Sequence, residues 1–348
     1  MSEIVKLEHV AKIFRRGRLW GSREEIFALR DVTLSVIEGE RISIVGESGS
    51  GKTTLARIIA GFEKPTHGVV YWFGKKVDEL SRSEQTKLRA KIQYVHQDPY
   101  SSLNPSRTVY SILADPLRRH YDGDVNERVV ELLKLVKLTP PEYFLNKYPY
   151  HLSGGMRQRL AIARALTASP NLIIADEPVS MIDMSLRVSV LDVFLDLNRR
   201  MNLATVMISH DIALAYYFTM NGGRLCVMYG GRILEEGESD KLITNPLHPY
   251  TRLLLLATPQ HQREYAELRL NEMKKYFLPE LRRIELMEGG SQACPYIARC
   301  PFAVDKCREG VELKKVEPRH YVACTRIDEL PSWIPLPWFR PKVTTWTG

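Results

Sequence analysis

A glycine-rich loop, set between a strand-like run and a helical segment, constrains the fold of this chain more than any other feature. The β-branched run Arg41–Val45 has the composition of a buried strand. Glycines at 46, 49 and 51 follow it, and Leu55–Ala60 then has helical character. Backbone N–H groups of such a loop can surround phosphates, and a helix N-terminus favours negative charge. The pattern predicts a strand–loop–helix phosphate site, with a chance glycine-rich turn as the alternative.

Two side chains at the end of this loop have predicted chemical roles. Lys52 is placed to reach the β- and γ-phosphates of a nucleotide, and Thr53 to offer its hydroxyl to Mg²⁺. The candidate nucleotide-binding residues of this segment are Gly46, Glu47, Ser48, Gly49, Ser50, Gly51, Lys52, Thr53 and Thr54.

A second buried strand ends in two carboxylates. The apolar run Leu172–Ala175 is followed directly by Asp176 and Glu177. Such a strand places Asp176 near the shell of a metal ion, and Glu177 at the strand's end can activate water. The alternative is a carboxylate pair that merely ends a strand, but its occurrence beside a phosphate loop favours the catalytic interpretation.

Strands and helices alternate along most of the chain. The strand-like runs are 41–45, 92–96, 172–175 and 204–208. Residues 98–168 are predicted to be mostly helical, and Ser153 can cap a helix running from about 155 to 168. Such alternation predicts an α/β fold with a wound sheet. Further along, 225–234 predicts a β-hairpin and 250–288 one helix or two.

Composition limits the class of protein. The chain has 348 residues, 44% hydrophobic and 26% charged, which excludes a disordered chain, a collagen and a small disulfide scaffold. No apolar stretch approaches the roughly 20 residues of a membrane helix. Without a signal-like N-terminus, we expect a cytoplasmic protein. The net charge of +8 is spread along the chain, so it gives little support for a nucleic-acid partner.

Together these segments resemble an ATP-binding cassette ATPase. Four further motifs follow in the family's order: Gln97 matches the Q-loop, Leu152–Met156 the signature segment, Ser180–Asp183 the D-loop and His210 the switch histidine. Phe14 falls where the family stacks an aromatic ring on adenine. The resemblance covers residues 1–245, which it identifies as the nucleotide-binding domain, and leaves 246–348 as a C-terminal extension.

The resemblance implies a P-loop NTPase core, in which a mixed sheet is wound with helices. It also implies an antiparallel β subdomain and an inserted helical subdomain at about 98–168. Two such subunits would pack head to tail. Each ATP would lie between the phosphate loop of one subunit and the signature residues of the other, here Ser153, Gly154 and Gly155, with Asp183 of the D-loop nearby.

The same resemblance implies a role for each catalytic group. Water attacks the γ-phosphate in line, Glu177 polarises that water, and His210 stabilises the transition state. Thr53, Gln97 and Asp176 would surround Mg²⁺, while Lys52 offsets phosphate charge.

Three shorter segments resemble, more narrowly, the ATPase subunits of oligopeptide/dipeptide importers. They are Gln97–Pro105, Asp176–Ser180 and Asn245–Thr251. This implies peptide uptake by a complex at the cytoplasmic face of the cell membrane. Its other parts would be a second, different ATPase subunit, two transmembrane permeases and an extracytoplasmic solute-binding protein. Relatives also carry oligosaccharides or nickel, so the cargo stays open.

Two other functions compete with import. A soluble cassette ATPase acting on nucleic acid would suit the basic charge, but no coiled-coil, tandem-cassette or zinc-finger insertion is visible in the sequence. A regulatory subunit without catalysis is disfavoured because Lys52, Asp176, Glu177 and His210 are all present. We therefore predict an ATPase and no nucleic-acid partner.

The cysteine pattern predicts a metal site in the C-terminal extension. Four of the five cysteines lie there: Cys294, Cys300, Cys307 and Cys324. Four soft ligands suit zinc or an iron–sulfur cluster. The short Cys-x2–4-Cys pairs of structural zinc sites are missing, whereas a proline follows each of the first two cysteines, as around [4Fe–4S] clusters. The family resemblance points the same way, so we expect [4Fe–4S], with zinc, disulfides or free thiols as alternatives.

Overall fold

The computed structural model describes residues 2–16, 24–258, 270–274 and 293–333. The chain divides into two compact units. Unit 1 comprises Met1–Ile42 and Lys52–Ser209, and unit 2 comprises Ser43–Gly51 and His210–Gly348. The predicted domain boundary at residue 245 lies within unit 2 and stays a prediction.

Strands and helices alternate along the described ranges. In chain order, the strands are β1 (Glu3–Arg16), β2 (Glu24–Ile37), β3 (Arg41–Val45), β4 (His67–Trp72), β5 (Lys75–Lys76), β6 (Ile92–Val95), β7 (Leu172–Asp176), β8 (Ala204–Ser209), β9 (Arg224–Tyr229), β10 (Arg232–Glu238), β11 (Lys314–Glu317) and β12 (His320–Val322). The helices are α1 (Lys52–Ile59), α2 (Arg82–Ala90), α3 (Pro99–Ser102), α4 (Val109–His120), α5 (Val125–Leu135), α6 (Pro141–Leu145), α7 (Gly154–Leu166), α8 (Met184–Met201), α9 (Ile212–Thr219), α10 (Ser239–Thr244) and α11 (Pro249–Ala257).

Unit 1 contains an antiparallel sheet of four strands in the order β2-β1-β4-β5. Alternate residues of β1, such as Val5 and Leu7, are buried, as expected for a sheet with one face on a core. Trp72 at the end of β4 is also buried, and its indole N–H donates to the carbonyl of Ile59 at 3.0 Å. This bond ties the antiparallel sheet to the end of α1.

Parallel strands β6, β7 and β8 form the second sheet region of unit 1. Ile92 pairs with Leu172, and Leu172 with Ala204, so the three strands start level with one another. All five residues of β7 are buried, which explains its continuous apolar run. Because parallel strands end at the same edge, the residues that follow β6 and β7 are brought close together.

The helical segment of unit 1 agrees with the sequence-based prediction. Helices α3 to α7 occupy 99–166, and Ser153 caps α7 by accepting a hydrogen bond from the N–H of Met156 at 3.4 Å. The helix starts one residue earlier and ends two residues earlier than expected. The predicted α/β class, with a mixed sheet and helices, is confirmed.

Unit 2 contains the predicted hairpin and one that was not predicted. Strands β9 and β10 pair antiparallel as expected. The second hairpin, β11 and β12, extends the sheet beyond β10, since β12 pairs with β10 through Glu235 and Val322. The helix expected at 250–288 begins as α11 but ends at Ala257; residues 270–274 are helical, and 259–269 and 275–292 lie outside the described residues.

The carboxylate of Glu235 on β10 is fully buried and organises this part of unit 2. It accepts hydrogen bonds from the backbone N–H groups of Leu247 at 2.7 Å and His248 at 2.9 Å. The ring nitrogen Nε2 of His320 on β12 donates to the same carboxylate at 2.8 Å. One side chain thus joins β10, β12 and the start of α11.

Replacing Glu235 by Ala is expected to lower the free energy of unfolding by about 3 kcal/mol, because the N–H groups of Leu247 and His248 and the ring of His320 lose their acceptor. Glu317→Ala on the exposed strand β11 is the matched control and should change it little. Urea denaturation followed by circular dichroism measures both, and equal small effects would contradict the role assigned to Glu235.

Candidate nucleotide site and thiol cavity

Asp176 is the centre of the polar groups in unit 1. Its side chain is only 8% exposed. The hydroxyl of Thr53, on α1, donates to Oδ1 of Asp176 at 3.3 Å. The hydroxyl of Tyr94, on β6, donates to Oδ2 at 2.6 Å. The structure therefore brings together Thr53 and Asp176, two of the three predicted magnesium ligands, and adds Tyr94.

Burial is the largest influence on the pKa values of Asp176 and Tyr94. It raises the pKa of Asp176, and the neighbouring charge of Glu177 adds to the rise, while the hydrogen bonds from Tyr94 and Thr53 oppose it. Burial and the charge of Asp176 also raise the pKa of Tyr94, so the phenol remains a donor. Both donors favour the ionised form of the Asp176 carboxylate, which is the form that binds a divalent cation.

Glu177 and Gln97 are held together at the strand ends. The amide Nε2 of Gln97 donates to Oε2 of Glu177 at 3.1 Å. The backbone of Glu177 has φ +46°, a left-handed conformation that costs a non-glycine residue on the order of 1–3 kcal/mol. Its N–H donates to the carbonyl of Ile208, and its carbonyl accepts from Ser180. These bonds hold the backbone in the turn from which the carboxylate projects.

The signature and D-loop residues are neighbours in unit 1. Gly154 and Gly155 are the first residues of α7. A Cβ added at Gly154 would lie 3.5 Å from the carbonyl oxygen of Met181, in the D-loop. Asp183 is exposed and directly precedes α8, where its side chain makes no capping hydrogen bond. The backbones of the two motifs therefore lie next to each other, and the side chain of Asp183 is exposed to solvent.

Phe14, the predicted adenine platform, lies on β1 of unit 1. Its ring is 40% exposed. The ammonium group of Lys12 lies 5.0 Å from the ring centroid. An exposed ring with a cation beside it is a suitable surface for a planar base.

The phosphate loop belongs to unit 2 and is packed against β9 and the turn that follows it. A Cβ at Gly46 would come within 2.0 Å of the carbonyl oxygen of Met228, so only glycine fits. Gly49 has φ +79°, which side chains rarely adopt. Gly231 donates its N–H to the carbonyl of Ser50 at 3.0 Å. The loop is therefore preformed by its own unit, and it runs directly into Lys52 and Thr53 of α1.

Two residues outside the loop also hold it, and neither was predicted from the sequence. The hydroxyl of Tyr250, on α11, accepts the N–H of Glu47 at 2.9 Å. The guanidinium of Arg299 donates to Oε2 of Glu47 at 2.6 Å. Both lie in the C-terminal segment, more than two hundred positions from Glu47 along the chain.

His210, the predicted switch histidine, begins the second segment of unit 2. It follows β8 directly and is exposed. The next residue, Asp211, caps α9 by accepting from the N–H groups of Ala213 and Leu214. This cap fixes the turn that carries His210.

The four cysteines of the C-terminal segment line one cavity in unit 2. His248, Phe302 and Arg326 also contribute to its wall. The N–H of Cys294 donates to the carbonyl of Cys307 at 3.1 Å, which joins the two ends of the cysteine-bearing turn. All five cysteines of the chain are free thiols. The fold therefore brings Cys324, which is well separated from the other three cysteines in the sequence, to the same cavity.

Two of the cysteines that line this cavity, Cys294 and Cys307, are buried, and Cys300 and Cys324 are partly exposed. Burial raises the pKa of Cys294 and of Cys300 to about 12, and raises that of Cys324 as well. Burial also lowers the pKa of His248 to about 3, so the imidazole is neutral. Within the ranges that the structure describes, no group of three or more His, Cys, Asp or Glu side chains is arranged so that it could hold a metal ion.

Two known protein families match this chain, one in its N-terminal part and one in its C-terminal part. Residues 29–180 match the family described as ABC transporter. Residues 234–307 match the family described as oligopeptide/dipeptide transporter, C-terminal region.

Curated relatives match over almost their whole length. The oligopeptide transport ATP-binding protein OppF of Salmonella typhimurium is 37% identical over 322 residues, which cover 89% of this chain and 91% of the relative. AppF of Bacillus subtilis, also described as an oligopeptide transport ATP-binding protein, is 38% identical and covers 92% and 96%.

Solved structures share the fold. An ATP-binding cassette in a dimeric, post-hydrolysis state with ADP and Pi is 36% identical, with a TM-score of 0.59, covering 68% of this chain and 99% of that one. The CbiO1 protein of Clostridium perfringens, at 24% identity and a TM-score of 0.60, agrees in fold.

Replacing Tyr94 by Phe is expected to raise the Mg²⁺ concentration needed for half-maximal ATP hydrolysis about threefold to tenfold, since a charged carboxylate loses one hydrogen-bond donor. Phe keeps the ring that packs against Phe62, so folding should be unaffected. Tyr71→Phe, on β4, is the matched control. A magnesium titration of ATPase activity measures the change, and an unaltered titration for Tyr94→Phe would show that this hydroxyl does not support the metal site.

Proposed function

This chain belongs to the ATP-binding cassette transporter ATPases, and we propose that it hydrolyses ATP to drive the import of peptides. The cargo is inferred from the curated relatives, whose descriptions name oligopeptide transport, and from the matching C-terminal region. The observation that carries the catalytic part is the group formed by Thr53, Asp176 and Tyr94 beside the Gln97–Glu177 pair.

We propose that the triphosphate is bound by the loop and by the residues that follow it. The N–H groups of Gly46–Gly51 and the ammonium of Lys52 would hold phosphate oxygens. Lys52 is 6% exposed, so its charge is little screened by water. Thr54 follows in the first turn of α1, and Phe14 is the proposed surface for the adenine.

Thr53, Asp176 and Gln97 are the residues proposed to hold Mg²⁺. Two of them supply oxygen ligands that already lie within 3.3 Å of each other. When bound, the ion offsets the negative charge that develops on the phosphates. The hydrogen bond from Tyr94 orients the Asp176 carboxylate and opposes the rise of its pKa that burial causes.

Glu177 is proposed to polarise the attacking water. Gln97 positions its carboxylate, and the turn at Ile208 and Ser180 holds its backbone. His210 would stabilise charge on the γ-phosphate in the transition state, and the Asp211 cap fixes its turn.

We propose that the chain works in a complex at the cytoplasmic face of the cell membrane. No helix in the described ranges has the length and apolar character to cross a bilayer. Two permease subunits are proposed as partners because the descriptions of the curated relatives name oligopeptide transport. A second, different ATPase subunit would receive Ser153, Gly154, Gly155 and Asp183 against its own nucleotide. An extracytoplasmic solute-binding protein would deliver the peptide.

Glu177→Gln is expected to bind ATP normally but to hydrolyse it at least about a hundredfold more slowly, because the amide cannot take a proton from water. ATP binding and phosphate release measured on the purified complex separate the two steps. Glu142→Gln in α6, exposed and distant in sequence, is the control. Near-normal turnover by Glu177→Gln would remove Glu177 from the role of base.

We further propose that the thiol cavity holds a [4Fe–4S] cluster. In support, the thiols of four cysteines, which are soft ligands, line one cavity. A lone structural zinc ion is disfavoured because the sequence lacks the short Cys-x2–4-Cys pairs that such sites use. A four-iron cluster instead binds its cysteines at the corners of a larger body, which suits four thiols around a cavity.

Protein purified anaerobically is expected to contain about four iron and four sulfide per chain. Cys300→Ala should abolish iron binding, whereas Cys226→Ala, at the buried cysteine of β9, should retain it. Colorimetric iron and sulfide assays with absorption spectra measure both. Zinc at about one per chain without iron would overturn the cluster assignment.

A further inference from the structure

We propose that Arg299 is a positioning residue for nucleotide binding, which holds the phosphate loop through Glu47 and transmits the state of the thiol cavity to it. Arg299 ends the short 3₁₀ helix Ile297–Arg299, directly before Cys300. The first half of this proposal stands on the ion pair alone. The second half, transmission from the cavity, rests on the proposed cluster.

The contact between Arg299 and Glu47 is charge-assisted and well supported. The distance from Nη1 to Oε2 is 2.6 Å. The same nitrogen donates to the hydroxyl of Tyr229 at 3.3 Å, and the guanidinium lies 5.8 Å from the ring centroid of Tyr296. The hydrogen bond that Arg299 donates to Glu47 raises the pKa of Arg299, with burial opposing it, so the guanidinium remains a cation.

Glu47 is the residue through which this contact reaches the loop. Its N–H is bound by Tyr250, and its carbonyl accepts the N–H of Ser50 at 3.2 Å. The backbone N–H and the backbone carbonyl of Glu47 therefore both make hydrogen bonds within unit 2. Holding the carboxylate restricts the turn from Glu47 to Ser50, from which the phosphate-binding N–H groups project.

The segment from Cys294 to Cys300 is a compact turn that connects Arg299 with the cavity. The N–H of Ile297 donates to the carbonyl of Cys294 at 3.0 Å, and that of Arg299 to the carbonyl of Tyr296 at the same distance. The N–H of Cys300 closes the turn on Ile297. A ligand that draws in the sulfurs of Cys294 and Cys300 therefore fixes the backbone that carries Arg299.

Buried aromatic rings make this connection stiff. Tyr296 packs against Tyr229 with ring centroids 5.3 Å apart and against Tyr250 at 5.2 Å. Tyr250 is the residue that accepts the N–H of Glu47. The turn between the two cysteines thus reaches Glu47 by two routes, the Arg299 ion pair and the Tyr296–Tyr250 contact.

The expected effect of Arg299 on nucleotide affinity is limited by the exposure of the Arg299 and Glu47 side chains. Both side chains of the pair are 41% exposed, so solvent screens the interaction and its removal should cost a modest factor in affinity. We expect Arg299→Ala to raise the Kd for a fluorescent ATP analogue with Mg²⁺ about threefold, with kcat for ATP unchanged. Because the pair is ionic, the difference should shrink at high salt.

A double-mutant cycle on the full-length chain tests the positioning role. Arg299→Ala and Glu47→Gln should weaken binding of the analogue to a similar extent, and the double variant no further; Arg299→Lys should restore part of the affinity. Arg308→Ala, which removes an arginine of the same segment paired with Asp305, is the control. Additive effects of Arg299→Ala and Glu47→Gln, or no effect of either, would overturn the positioning role.

Removal of iron tests transmission from the cavity. Cys300→Ala, or chelation of the wild-type protein, is expected to raise the Kd for the analogue while Arg299 is present and to add nothing to Arg299→Ala. An unchanged Kd after removal of iron would overturn transmission. A protein that contains no iron would overturn the cluster and with it transmission, while the double-mutant cycle still decides the positioning role.

Discussion

The burial of one carboxylate, that of Asp176, is the constraint on which the proposed catalytic site of unit 1 depends. Removing a carboxylate from water is costly unless donors or a cation replace the lost hydration. The donors come from Thr53 on α1 and Tyr94 on β6, so meeting this requirement fixes the first turn of the phosphate helix against two parallel strands. Glu177 follows Asp176 in the chain, so the proposed water-activating carboxylate derives its position from the same requirement.

Local spacing was enough to predict the phosphate loop, the acidic strand end, the Ser153 cap and the hairpin of β9 and β10. Each of these depends on residues close together in the chain. Tyr94, Tyr250 and Arg299 were missed because their contacts join residues 82, 203 and 252 positions apart. Strand β11 was missed for another reason: all four of its residues are exposed, so it lacks the apolar alternation that indicates a strand.

The C-terminal segment is integrated with the phosphate loop and is not simply appended to it. Within unit 2 the loop Ser43–Gly51, the hairpin of β9 and β10 and the cysteine-bearing turn share one compact body. Glu235 joins β10 to β12 and to the start of α11, and Tyr250 on α11 reaches Glu47. A segment outside the motifs common to cassette ATPases therefore contacts the loop that is proposed to bind phosphate.

The pairing of β12 with β10 also determines what a shortened chain would expose. Strand β10 is almost wholly buried, and without β12 one side of it would present unpaired backbone N–H and C=O groups that can recruit another chain. In the intact protein the outer strand is β11, short and carrying Lys314 and Lys315 on its exposed residues, a composition that discourages edge-to-edge association. Loss of the chain from β11 onward would therefore favour aggregation even where the catalytic groups are left intact.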